Sequence, residues 1–347
     1  AEKQFTTRDN VRLGTELAVA EMLASGTTTF ADMYFHERVV GEVCVAAGMR
    51  VLLGQAVIGF PTPDCPDTQT SSRRGHDLLE HFRDEPLVDV SIALHATYTL
   101  SPEQLAEGAR HAADWGVPVQ IHVSETKGEV DDCRATHGVS PPLLLQRVGL
   151  LRRGTILAHG VHVDDDDIAA IAASGAGIAL NPDSNLKLGS GIARVPDLLA
   201  AGVTLGLGTD GAASNNTLDL WQALRLTALL SKSVRLDPTV VPAATAVRLA
   251  TRGGAELLGI ADRVGTLEPG KRADLCVVDT ASAALTPLYD PWSHLAYVTT
   301  GRDVVHTVVD GRVVVRDRTH TSPDGARIRR DVARLAPEIA AFVRGPS

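Results

Sequence analysis

The feature that most limits how this chain can fold is a regular alternation of short apolar runs and helical stretches. Apolar or β-branched runs recur at 27–34, 50–57, 88–96, 118–123, 155–159, 177–181 and 203–210. A first helix capped by Asp9 runs to about Ala24, and helical patterns fill 37–47, 101–115, 141–148, 164–173, 195–201 and 218–230. Gly48, Gly116, Gly175 and Gly202 stand where helices must stop before the next run, the position where a left-handed residue ends a helix. Repeated strand–helix units of this size predict an α/β fold with a parallel sheet. Seven such runs point to a (β/α)8 barrel that lacks one strand.

The pattern changes after Leu258. Residues 264–279 and a hairpin over 304–316, turning at Asp310-Gly311, predict a small β part. The tail is helical over 326–343 and ends in Gly345-Pro346-Ser347. The expected organisation is therefore a barrel over 1–258, a β-sandwich part over 259–320, and a C-terminal helix and tail over 321–347. A formal charge of −9 and the lack of a Lys/Arg cluster argue against nucleic-acid or anionic-membrane partners. No run of eighteen apolar residues and no signal-peptide pattern is present. The four cysteines are scattered, with no CxxC pair. That fits a reducing cytoplasm and argues against a disulfide framework or a Cys-rich zinc site.

The chemistry gathers at the ends of the runs. His122 and Glu125 follow one run and Asp210 closes another. A His that binds a divalent ion, an Asp that binds it and takes a proton from its water, and a Glu that passes protons on are what a metal-assisted hydrolase needs. The alternative for His122 and Glu125 is a surface His with a helix-capping Glu, and for Asp210 a turn Asp before Gly. His159 closes a third run, one barrel unit from His122, near enough to bind the ion or to polarise the attacking hydroxide. His162, just beyond it, is expected to be exposed and structural. His95 ends a fourth run, as a substrate-binding hydrogen-bonding group or a loop histidine. The polar stretch 181–189 shapes the pocket or makes a turn. Arg73 and Arg74, after a Pro/Ser/Thr-rich loop at 61–72, pair with a substrate carboxylate or form a solvated basic pair. The block Asp164–Asp167 is expected to be a solvated helix N-terminus.

These residues resemble the amidohydrolase superfamily, and within it the 5-methylthioadenosine/S-adenosylhomocysteine deaminases. The matching segments are Gly26-Thr27-Thr28-Thr29-Phe30-Ala31-Asp32-Met33-Tyr34-Phe35, His122-Val123-Ser124-Glu125-Thr126, Leu157-Ala158-His159, Asn181-Pro182-Asp183-Ser184-Asn185-Leu186-Lys187-Leu188 and Leu207-Gly208-Thr209-Asp210-Gly211-Ala212-Ala213-Ser214-Asn215-Asn216. Gly265–Leu275 is similar to the family's return into its β-sandwich. The resemblance implies one divalent metal, zinc or else iron, with His122 and Asp210 as ligands. It implies Glu125 as proton shuttle, His159 as aid to the metal-bound hydroxide and His95 as a substrate contact. The implied reaction is hydrolytic deamination of an adenosine-type nucleoside, a small-molecule substrate. The cysteine usage points to a cytoplasmic enzyme, and its size to a homo-oligomer, although no interface is visible in the sequence. The chain departs from the family in one respect: it has no His-x-His pair. That pair follows the family's first barrel strand and supplies two further ligands, so the first strand is expected to be missing. The rival readings are a chlorohydrolase, a guanine or aminodeoxyfutalosine deaminase, and a non-catalytic ligand-binding remnant.

Overall fold

The computed structural model describes residues 2–322 and 324–344; Ala1 and the Gly345-Pro346-Ser347 tail lie outside them. The parallel strands are β1 (Thr29–Ala31), β2 (Arg50–Leu53), β3 (Ala56–Val57), β4 (Val88–Val90), β5 (Ile92–Ala96), β6 (Val119–Val123), β7 (Thr155–His159), β8 (Gly177–Leu180) and β9 (Thr204–Leu207). They form two sheets in the orders β1-β2-β4 and β3-β5-β6-β7-β8-β9. Two of the expected runs are split: one at Gly54-Gln55 between β2 and β3, the other at Ser91 between β4 and β5. Each half of a split run pairs in a different sheet. Gly54 is crowded, because a Cβ there would come within 2.6 Å of the Ala93 Cβ and 3.0 Å of the Asp32 carbonyl. Counted by runs, the parallel sheet has seven positions, the architecture of a TIM-type barrel. Among the described residues β1 and β9 are not paired with each other.

Local chemistry sets the helices between the strands. Helix Pro102–Trp115 starts with a capping box between Ser101 and Gln104 and a Pro in its first turn, and it ends at Gly116 with φ 68°. Helix Glu37–Ala47 ends at Gly48 with φ 76°, and helix Asp165–Ser174 ends at Gly175 with φ 74°. The first long helix, Arg8–Ala24, is capped by Thr7; Asp9 sits in its first turn instead. The end of the 61–72 loop, from Thr68 on, is helical, because Asp67 caps helix Thr68–His81 by accepting from the Thr70 amide. The 181–189 stretch is a short helix, Pro182–Lys187. The Asp164–Asp167 block does begin a helix, but Asp167 is fully buried and bonded to the Ser140 hydroxyl, so it is not a solvated charge.

Two apolar cores organise the molecule. The larger lies between β5–β9 and their helices, with Leu94, Ile121, Leu157 and Ile178 at its centre. The second packs β1, β2 and β4 with Val19, Leu23 and Val43 of the flanking helices. Val309, Val314 and Val315 join that second core. They come from a small antiparallel sheet of β10 (Leu275–Val278), β11 (Val304–Val309), β12 (Arg312–Arg316) and β13 (Thr319–His320). Asp310 and Gly311 turn the β11–β12 hairpin with φ 50° and 79°, the positive angles that a two-residue hairpin loop requires. The C-terminal helix, Gly325–Arg344, buries Ile328.

Candidate active site

β5, β6 and β7 run side by side and are mostly buried. Near their C-terminal ends they carry His95, His122 and His159 in a row. The His95 and His122 rings are 5.1 Å apart, and those of His122 and His159 are 5.6 Å apart and stacked. The β5–β6 register slips between Leu94 and Ala96, so His95 has no Cα partner in β6. Its carbonyl lies 2.7 Å from His122 Nδ1. A carbonyl only accepts, so Nδ1 carries the proton and Nε2 keeps its lone pair. His159 is held in the same way, with Nδ1 at 2.8 Å from Asn185 Oδ1. Its Nε2 faces Glu125 Oε2 at 3.8 Å. His95 Nδ1 meets the Thr99 hydroxyl at 3.1 Å, and its ring stands edge-on to Tyr98.

Electrostatics set the protonation states. Burial, helped by the neighbouring His122, pushes His95 down to about 4. Burial and then the nearby His159 ring also lower His122, against the opposing bond to the His95 carbonyl. At neutral pH both imidazoles are therefore uncharged. Burial alone would raise the Asp210 carboxyl. Hydrogen bonds from Ser184, Gly211 and Ser214 outweigh it and hold Asp210 below its usual value. The Ser184 hydroxyl donates to Asp210 Oδ2 at 2.6 Å and the Gly211 amide to Oδ1 at 2.7 Å. Gly208 lets β9 end so close to Asn181 that a Cβ would lie 2.3 Å from Asn181 Oδ1.

Neutral imidazole and ionised carboxylate are the right donors for a divalent cation. Among the described residues, however, no three or more His, Cys, Asp or Glu side chains are grouped to hold a metal ion. His122 and Asp210 fit as part of a ligand set, short of the three side chains that a catalytic zinc site usually keeps.

The structure thus brings His95, His122, Glu125, His159 and Asp210 to one end of the barrel. His162 is half-buried instead of exposed, with Nε2 2.7 Å from the Ser190 carbonyl. Arg73 and Arg74 stand on helix Thr68–His81, and Arg74 lies 3.5 Å from the buried Asp64 carboxylate. Four further residues brace the site: Ser184 and Asn185, from the polar 181–189 stretch expected to shape the pocket or make a turn, and Ser190 and Glu129, which had no assigned role. Asn185 and Ser184 orient His159 and Asp210, Ser190 donates to Glu125 Oε1 at 3.3 Å, and Glu129 bonds the backbone at Ser124 and Glu125. Of Ser190 and Glu129, Glu129 alone left a local signal, the Thr126-x-x-Glu129 spacing of a capping box.

The profile of the Amidohydrolase family matches residues 3–314. The 5-methylthioadenosine/S-adenosylhomocysteine deaminase of Syntrophobacter fumaroxidans is 44% identical over 312 residues, covering 90% of this chain and 71% of that protein. The enzyme of the same name from Moorella thermoacetica is 42% identical, over 89% of this chain and 72% of its own length. Among solved structures, a zinc-bound adenosine deaminase from Xanthomonas campestris superposes with a TM-score of 0.96 at 35% identity. That match covers 98% of this chain and 77% of the other.

Proposed function

Because the chain belongs to the amidohydrolase family, we propose that it catalyses the hydrolytic deamination of an adenosine-type nucleoside: S-adenosylhomocysteine, 5′-methylthioadenosine or adenosine. The observation that carries this reading is the meeting of Glu125, His159 and Asp210 beside His122, from three separate strand ends. Relatives bearing the deaminase name support the substrate class.

In this reading His122 and Asp210 contribute to holding one divalent ion. Zinc is favoured by the zinc-bound neighbour; when bound, the ion supplies the positive charge that makes water a nucleophile at neutral pH. The remaining steps belong to side chains. Asp210 stays ionised and accepts a proton from the attacking water. Glu125 delivers a proton to N1 of the adenine ring as oxygen adds to C6, and a second transfer allows the C6–N bond to break and ammonia to leave. His159, oriented by Asn185, presents Nε2 towards Glu125 and the incoming water. His95, uncharged, hydrogen-bonds the substrate. Among the described residues no helix is long and apolar enough to cross a membrane. The four cysteines are unpaired, which supports a cytoplasmic location.

The test uses protein purified from its own host and supplemented with zinc. Ammonia release from at least one of the three nucleosides, lost on chelation and restored by zinc, is the expected result. No ammonia from any of them, with turnover of guanine or a chlorotriazine in the same panel, would replace this reading by one of its rivals.

A further inference from the structure

We propose that Glu129 is a positioning residue for the reaction, fixing the proton shuttle Glu125 through its backbone. This rests on the reading of Glu125 as that shuttle. Glu129 lies in the first turn of helix Lys127–His137 and is only 8% exposed. Its two carboxylate oxygens take two consecutive amides: Oε1 accepts from Ser124 N–H at 2.9 Å and Oε2 from Glu125 N–H at 2.8 Å. Successive amides pointing the same way make a concavity that an anion fills, and here the anion is part of the chain.

The backbone explains why the clamp is needed. Ser124 has φ 52°, a left-handed angle that side-chain-bearing residues seldom adopt. This kink turns the chain out of β6 and sets where the Glu125 side chain starts. The buried Ser124 hydroxyl has no hydrogen-bond partner, so its own side chain does not hold the kink. Thr126 already caps the helix by accepting from the Glu129 amide at 3.1 Å. A capping-box Glu reciprocates at the cap residue itself; Glu129 reaches the two residues before it. It does so although burial raises its carboxyl and Glu125 adds like charge, a costly arrangement if only helix capping were served. On the side-chain side Glu125 is steadied by Ser190 at 3.3 Å, a longer bond than either of the two that Glu129 makes.

The experiment is a double-mutant cycle on the metal-loaded enzyme with Glu129→Gln, Glu125→Gln and the pair. Glutamine keeps one acceptor and releases one amide. A misplacement of about 1 Å costs on the order of 100-fold, so Glu129→Gln should lower kcat roughly 10- to 100-fold. KM should stay within about twofold and metal content should not change, since the interaction acts on a group used in the transition state. In the Glu125→Gln background the same change should cost little more, because its target is already gone. Wild-type kcat in Glu129→Gln, a raised KM at constant kcat, or an equal loss in both backgrounds would overturn the proposal. Full activity in Glu125→Gln would instead remove the shuttle reading on which it stands. If Glu129→Gln fails to fold, Ser124→Gly relieves the φ strain without removing a bonded group, and Glu129→Gln is then read in that background against the same outcomes.

Discussion

Ser124, His159 and Asp210 hold φ angles of 52°, 77° and 59°, values that cost side-chain-bearing residues about 1–3 kcal/mol each. Each sits where a strand gives way to a loop, and each is bonded by a residue distant in sequence or by its own neighbour. Strain of this kind turns a side chain off the strand direction and towards the shared mouth of the barrel. Burial acts on the same residues. His95 titrates near 4 in the fold against 6.5 when free. Between those values the unfolded chain binds a proton that the folded chain refuses, so stability rises with pH across the window. The contribution is complete above about 6.5 and is lost as pH falls towards 4. Urea midpoints of chelator-treated protein should therefore fall more steeply between pH 6.5 and 4 in the wild type than in His95→Gln; parallel slopes would refute this assignment. The site residues were legible as residue types at strand ends. Their partners were not. Asn185 reaches His159 and Ser190 reaches Glu125 only after strands and loops far apart in sequence are brought together. No local spacing encodes such a pair.

At the scale of elements, the apolar runs and their glycine stops were readable because they depend on neighbouring residues alone. The strand ends were less so: the run at 203–210 is strand only over Thr204–Leu207, and the chain turns off the strand direction at Asp210, where φ is 59°. Asp167 misled because its acidic neighbours suggest solvent, whereas packing against Ser140 buries it. The helix stops give a clean prediction. At Gly116 nothing lies within 4 Å of where a Cβ would be, and φ is 68°. Gly116→Ala thus tests the backbone angle alone and should destabilise by about 1 kcal/mol. Gly116→Asn should cost less, since Asn tolerates that angle. Urea denaturation of the two variants decides it, and an Ala variant as stable as the wild type would mean that the angle relaxes freely.

At the scale of the whole molecule, the barrel and the small sheet are joined by a charge buried far from the chemistry. Arg50 opens β2, at the end of the barrel opposite the histidine row, and is 2% exposed. Its Nε donates to Asp274 Oδ2 at 2.8 Å and its Nη1 to the Pro86 carbonyl at 2.9 Å. Asp274, also 2% exposed on its side chain, accepts in turn from the Asp310 amide at 2.7 Å. One carboxylate therefore ties a barrel strand to the hairpin turn of the antiparallel sheet. A buried pair contributes little over an apolar substitute, but removing Asp274 leaves the buried Arg50 charge only the Asp310 carboxylate at 3.9 Å, and breaking a buried pair costs about 3–5 kcal/mol. Asp274→Ala should lose stability in that range, whereas Arg50→Met with Asp274→Leu should lose much less. Both should keep the wild-type KM at temperatures where they are folded, because no site residue touches the pair. Equal losses for the single and double variants would show that the attraction itself holds the two parts together. A changed KM would show that the small sheet, through β2, reaches the catalytic end of the barrel.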